Sequence, residues 1–283
     1  MNSILLTKSL LFALMISLFY FPYLPTANAK PARIVSINLC TDQLLLAVAP
    51  KSKIVALSHS IKDRGVSAYH AESSDIPLIR AKAEDIIMHR PDLVFGGPYT
   101  NQFIRDALKR LGIKLILIPL ATNFFEISEN IKKIGTAIGE NEAAAKAIIN
   151  LKEGHLDISQ KQKNRPPLAA LIWPNGLSTG PGTLPHSVLV QAGFENLSAR
   201  LKRKGTHSLL LETILENNPD YLVFSQSSTW PALATRLLSH PALIESLDGK
   251  PRVRIKDSLW LCGSPATKLA VEAIRNAWNR QKK

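Results

Sequence analysis

Apolar and polar positions along this chain alternate in blocks that read as strand, helix, strand. Arg33–Ile37 is a short β-rich run. It leads into Asn38, Thr41 and Asp42, residue types that cap helix N-termini, and then into Leu44, Leu45 and Val48 at helical spacing. Ile54–Leu57 predicts a second strand. Glu84–His89 predicts a short helix that stops at Pro91, because the residue before a proline disfavours helical backbone. Leu93–Phe95 predicts a strand ending in Gly96-Gly97-Pro98. Asn101 then opens a helix with Phe103, Ile104, Ala107, Leu108 and Leu111 on one face, Lys109 and Arg110 in its last turn, and Gly112 after it. Ile113–Ile118, apolar but for Lys114, is a strand ending at Pro119. This order implies a mostly parallel sheet covered on both faces.

The pattern changes after Glu126. Ile127, Ile131, Ile134 and Ile138 mark one helix. From Glu140 to about Gln162 there is no strand signal, and the helix formers predict one long connecting helix closed by Asn164-Arg165-Pro166-Pro167. Leu168–Trp173 begins a second α/β unit. The two halves share a signature. Glu84-Asp85-Ile86-Ile87 precedes Pro91-Asp92-Leu93-Val94-Phe95, and Glu212-Thr213-Ile214-Leu215 precedes Pro219-Asp220-Tyr221-Leu222-Val223-Phe224. In both the Glu stands seven positions before the Pro, which reads as an internal repeat. The expected organisation is a leader at 1–29, an N-terminal α/β lobe at 30–139, a connecting helix at 140–165 and a C-terminal α/β lobe at 166–283. Ligands of open α/β sheets sit beyond strand carboxyl ends, so the expected site is a cleft between the lobes.

Charge and the first segment narrow the compartment. Lys8, the apolar run Ser9–Phe21 and Ala27-Asn28-Ala29 form a signal-peptide pattern, with cleavage expected after Ala29 and the mature protein in the periplasm. The run is short for a membrane span, so the mature chain is not expected to be membrane-embedded. The full chain has 283 residues and a formal net charge of +13. The leader holds one Lys and no acid, so the basic excess belongs to the mature chain. Export argues against nucleic acid as a partner, and Lys202-Arg203-Lys204 is the densest basic cluster.

Arg33-Ile34-Val35-Ser36, the Glu84 and Glu212 units, and Ala192-Gly193-Phe194-Glu195-Asn196-Leu197 occur in an order that resembles the periplasmic substrate-binding proteins of ABC importers for cobalamin, ferric siderophores and haem. The resemblance covers nearly all of residues 33–275. It implies two lobes bridged by one helix, no catalytic residue and no resident cofactor. It also implies a monomer that delivers a metal chelate, a cobalamin-like corrinoid or a ferric siderophore, to an ABC permease dimer. Two glutamates of that family dock onto permease arginines, one from each lobe, and Glu84 and Glu212 match their positions.

The strand-end rule proposes Asn38, His59, Arg80 and Tyr99 from the first half and Trp173, Trp230 and Trp260 from the second as ligand-binding residues, with Ser225, Gln226 and Asp257 nearby. Aromatic plates with a few polar groups suit a large flat chelate. Trp278, on the terminal helix, reads as core. Alternatives stay open. Tyr99 with His59 would suit haem iron, and His59 with His70 or His207 would suit bare Zn or Mn, although the seven His show no tight ligand spacing. An exported α/β hydrolytic enzyme would need a nucleophile–base pair at the cleft, and no G-x-x-x-x-G-K-[ST] or G-x-S-x-G is present. The segment Gly176–Thr183 reads as a cleft loop before a helix at Ser187–Ala192. Cys40 and Cys262, the two cysteines, form a disulfide by default in an oxidising compartment, with two free thiols as the alternative.

Overall fold

The computed structural model describes residues 30–153, 165–226, 241 and 250–281. The leader segment 1–29, Trp230, His155 and His240 lie outside these. The first lobe runs β1 (Ile34–Ser36), α1 (Leu39–Val48), β2 (Ile54–Ser58), β3 (Leu78–Ile79), α2 (Ala83–Met88), β4 (Leu93–Gly96), α3 (Gln102–Arg110) and β5 (Lys114–Leu117). Its sheet has the order β3-β2-β1-β4-β5 and every pairing is parallel. Helices α4 (Phe124–Ile138) and α5 (Asn141–Lys152) follow.

The second lobe contains β6 (Leu168–Ile172), β7 (Leu177–Thr179), α6 (Leu184–Gln191), β8 (Glu195–Asn196), α7 (Leu197–Arg200), β9 (Thr206–Ser208), α8 (Leu211–Asn217), β10 (Tyr221–Gln226), β11 (Arg252–Lys256) and α9 (Thr267–Gln281). Its main sheet, in the order β11-β10-β6-β8, is again parallel, and β7 and β9 form a small antiparallel pair. The fold is therefore two α/β lobes with parallel central sheets. All five residues of β6 are buried, as a strand covered on both faces requires.

Local chemistry explains most boundaries. Asn38 is the N-cap of α1 and its side chain accepts from Cys40 N at 2.9 Å. Asn123 caps α4 through Glu126 N, and Ile127, Ile131, Ile134 and Ile138 are buried along one stripe. The buried face of α3 is narrower than its pattern suggests: Ile104 and Leu108 are buried, whereas Phe103 and Leu111 are exposed. Helix α6 begins at Leu184, three residues before the expected Ser187, because Thr183 caps it through His186 N. The connecting helix is seen from Asn141 to Lys152. Glu153 turns to extended backbone there, and residues 154–164 lie outside the described part.

The internal repeat extends to the backbone. Arg90 and Asn218, each preceding the Pro of the shared signature, both take left-handed conformations, with φ of 44° and 45°. Asp92 N donates to Arg33 O at 2.9 Å and Asp220 N to Leu168 O at 2.8 Å. Asp92 Oδ2 accepts from Ala32 N and Arg33 N, and Asp220 Oδ2 accepts from Leu168 N. In each lobe the Pro-Asp thus ties one strand to the start of the central strand, β1 or β6.

The lobes share a core. One cluster of buried apolar side chains runs from Ile34, Leu44 and Phe95 of the first lobe through the isoleucines of α4 and Ala144 and Leu151 of α5 to Tyr221, Trp260, Val271 and Ile274 of the second. Separate clusters fill the opposite faces of the two sheets.

Candidate functional site

A cavity of about 440 Å³ lies between the lobes. The first lobe contributes the start of α1, the segment Ile118–Thr122 after β5, and Asn130 of α4. The second contributes Trp173 after β6, the β7 and β9 pair, the start of α6 and Trp260–Gly263. Most of these positions follow the carboxyl ends of strands, where open α/β sheets place ligands.

The chemistry of the wall is specific. Among its described residues there is no Asp, Glu, Lys, Arg or His. Its polar groups are neutral: two asparagines, Asn38 and Asn130, and five threonines. Asn38 spends its Oδ1 on capping α1, and Asn130 Nδ2 donates to Pro119 O at 2.9 Å. Thr41 Oγ1 donates to Asn38 O and lies 2.7 Å from Ser36 Oγ. Among the described residues, Trp173 Nε1 and Thr179 Oγ1 are buried without a hydrogen-bond partner. They are buried polar groups of the wall with unused bonding capacity.

Trp173 and Trp260 form the aromatic part, with ring centroids 5.5 Å apart. Trp260 is only 1% exposed, so it is as much core as wall. Its Nε1 donates to Asp257 Oδ1 at 3.2 Å, and Ser225 Oγ donates to the same oxygen. Ser225 and Asp257, expected near the site, therefore anchor a wall residue from behind. Trp278 packs edge-on against Phe194 and Tyr221, in agreement with a core role.

The strand-end residues divide. Asn38, Trp173 and Trp260 meet in the cavity. His59 and Arg80 do not reach it; they line a smaller pocket of about 320 Å³ against Asp85, Met88 and His89 of the α2 segment. Tyr99 is 87% exposed and outside the wall. The His59–Tyr99 pairing for haem iron thus has no common site in the cavity. Among the described residues no group of three or more His, Cys, Asp or Glu is placed to hold a metal ion. Cys40 and Cys262 are joined in a disulfide with Cα atoms 5.1 Å apart, and both face the cavity. The two-thiol alternative does not apply.

Among the described residues one serine hydroxyl meets a histidine ring. Ser198 Oγ and His207 Nε2 are 3.1 Å apart, and Ser178 Oγ lies 2.9 Å from Ser198 Oγ. Ser198 is fully buried and outside the cavity wall, and His207 Nδ1 faces the Gly205 carbonyl rather than a carboxylate. The contact satisfies buried hydroxyls instead of exposing a nucleophile.

Glu84 and Glu212 occupy the first turns of α2 and α8 and both are exposed. Among the described residues neither has a hydrogen-bond or ion-pair partner; each stands where the helix dipole favours a carboxylate, worth about 0.3–1 kcal/mol. Elsewhere burial lifts the Asp42 carboxyl to about 7 against hydrogen bonds from Ser36 and Ser58.

Two α/β lobes around a cavity at strand carboxyl ends, uncharged among the described residues, define a cleft-type binding protein. The chain belongs to the periplasmic binding protein family, which it matches over residues 34–246. That family consists of non-enzymatic substrate-binding proteins of ABC transporters. A protein of Bacillus subtilis (strain 168), described as an uncharacterized ABC transporter substrate-binding lipoprotein YvrC, is 24% identical over 211 residues. The match covers 70% of this chain and 65% of that protein, so the chain spans just under two thirds of that relative's length. The periplasmic heme-binding protein RhuT from Roseiflexus sp. RS-1 superposes with a TM-score of 0.68 at 18% identity, covering 89% of this chain and 99% of that one. The periplasmic vitamin B12 binding protein BtuF of Vibrio cholerae superposes with a TM-score of 0.63 at 18% identity, covering 90% and 99%. At such identities these structures share the fold.

Proposed function

We propose that this protein is exported, with its leader cleaved after Ala29, and works in the periplasm as a monomer. It takes up a metal chelate in the interlobe cavity and delivers it to an ABC permease dimer through Glu84 and Glu212. The observation that carries the ligand assignment is the uncharged wall. An ionised group brought into such a cavity loses hydration without gaining a partner, which costs several kcal/mol in a real protein. An anionic siderophore or the carboxylates of haem would incur that cost. Haem iron also takes an axial His, Tyr, Met or Cys thiolate, and the described wall has none of these in a usable form. A neutral corrinoid-type chelate, rimmed with amides, suits the two tryptophans and leaves its acceptors to Trp173 Nε1, Thr179 and the asparagines. A cavity of this size is in the lower part of the range for small-molecule sites, roughly 300–1,000 Å³. It receives an edge of such a chelate rather than the whole.

Titration of the purified mature protein with cyanocobalamin, haemin, ferric siderophores and Zn, followed by tryptophan fluorescence, tests this. Saturable quenching by cyanocobalamin, abolished by Trp173→Ala, is expected. Tight binding of haemin or an anionic siderophore with no response to the corrinoid would overturn the neutral-ligand assignment.

A further inference from the structure

The cavity has a feature that its apolar and hydroxyl lining does not require: a covalent bond between lobes runs through its wall. Cys40 stands in the first turn of α1 in the first lobe. Cys262 stands between β11 and α9 in the second. The contact around the bridge is tight. A methyl group at Gly263 would lie 2.5 Å from Ile127 Cγ1 and 2.9 Å from Ala121 Cβ, both on the first lobe. Helix α5, the described part of the link between the lobes, is held too. Glu140, the N-cap of α5, pairs with Lys53 at 2.6 Å, and Glu153, its C-cap, pairs with Lys268 of α9 at 3.0 Å.

Two bodies joined by one chain segment can open about it. Joined a second time by a covalent bridge beside the cavity, they cannot separate there without breaking the bridge. We propose that the Cys40–Cys262 bridge fixes the width of the cavity, which makes these two residues determinants of ligand choice: the protein selects by the shape of a preformed cavity rather than by closing on its ligand. This rests on the cavity being the ligand site.

The test uses the oxidised protein purified after export, with nitroxides carried on p-acetylphenylalanine at Lys109 and Glu216, exposed positions in the two lobes, so that no thiol is added. Electron–electron distance measurements on this protein should give one narrow distribution that moves by no more than about 1 Å when cyanocobalamin or haemin is added. In Cys40→Ser/Cys262→Ser the distribution should broaden. The preference between the two probes should shrink by about tenfold, the discrimination a well-shaped pocket provides. A distribution unchanged by removal of the bridge would overturn the proposal, and so would a ligand-driven shift of more than about 2 Å in the oxidised protein. Where the double variant does not fold, that shift in the oxidised protein decides alone. Where neither probe binds, the binding-site assignment fails, and the comparison of the ligand-free distributions still decides whether the bridge fixes the width.

Discussion

Replacing Asp42 by Asn should remove a pH dependence that one buried carboxyl imposes on folding. Asp42 lies on α1 with no exposed surface, and it accepts from Ser58 N at 3.2 Å and from Ser58 Oγ of β2. Burial outweighs these bonds and lifts its pKa from 3.8 to about 7. The folded state thus holds the proton more tightly than the unfolded chain does. The stabilisation from this group is complete below about pH 4 and is lost as pH rises through about 7. Three pH units correspond to about 4 kcal/mol, of which about 3 kcal/mol falls between pH 4.5 and pH 8. That is a large share of the stability of an ordinary domain. Asn offers the same acceptor oxygen and stays neutral at every pH. The assay is urea unfolding of both proteins at pH 4.5 and pH 8 with the disulfide oxidised. Subtracting one protein's loss from the other's cancels the titrating groups they share, including Glu195, whose carboxyl Arg200 holds below its usual range. The wild type should lose about 3 kcal/mol more than Asp42→Asn between the two pH values. Equal losses would refute the reasoning.

Glu84→Ala with Glu212→Ala should leave ligand affinity unchanged and cost stability no more than about 0.3–1 kcal/mol per site through the helix dipole, while lowering transport in cells, since neither carboxylate has a hydrogen-bond or ion-pair partner among the described residues. Uptake equal to wild type would remove the docking role. Asp92→Ala and Asp220→Ala should each destabilise the protein by about 1–2 kcal/mol in denaturant unfolding, because the first frees the N–H groups of Ala32 and Arg33 and the second that of Leu168, at the start of a central strand. A repeat that shares function but not structure would show no such match. Gly180→Ala should cost at least about 1–3 kcal/mol, because its methyl would sit 2.1 Å from Arg203 O, a backbone atom that cannot rotate away. An unchanged urea midpoint would mean that the β7–β9 region yields more easily than its packing indicates.

The parallel sheets were legible because their strands are apolar runs bounded by Pro and Gly, and the repeat was legible because Pro-Asp does the same mechanical task twice. The site was legible only in part. Asn38, Trp173 and Trp260 follow β1, β6 and the 257–259 turn, which face the other lobe. His59 and Arg80 follow β2 and β3, on the far side of the order β3-β2-β1-β4-β5. Strand-end logic cannot tell these apart, because strand order is set by tertiary pairing. The segment Ile118–Thr122 follows the apolar run that predicts β5, and the same logic applied there would have found it. The threonines of β7 and β9 carry no such signal. They reach the wall through an antiparallel pairing of two short strands that binary pattern does not announce.

The shared core bears on how such a protein binds. The apolar cluster that includes Ile34 and Leu44 also includes Trp260, Val271 and Ile274, and α4 and α5 fill the space between. Pulling the lobes apart would expose part of that cluster. Each fully buried aliphatic side chain stabilises the fold by about 1.5–3 kcal/mol, so uncovering three of them costs about 5–9 kcal/mol, comparable to the whole stability of a typical domain. A state that costly is populated too little to serve as the receptive form, since apparent affinity falls in proportion to the competent fraction. The receptive form must then keep that core closed, which leaves the Cys40–Cys262 bridge to set the smaller variation in cavity width. On the proposed function, affinity would come from contacts that the cavity already offers, and the exposed faces that carry Glu84 and Glu212 are where a permease would act.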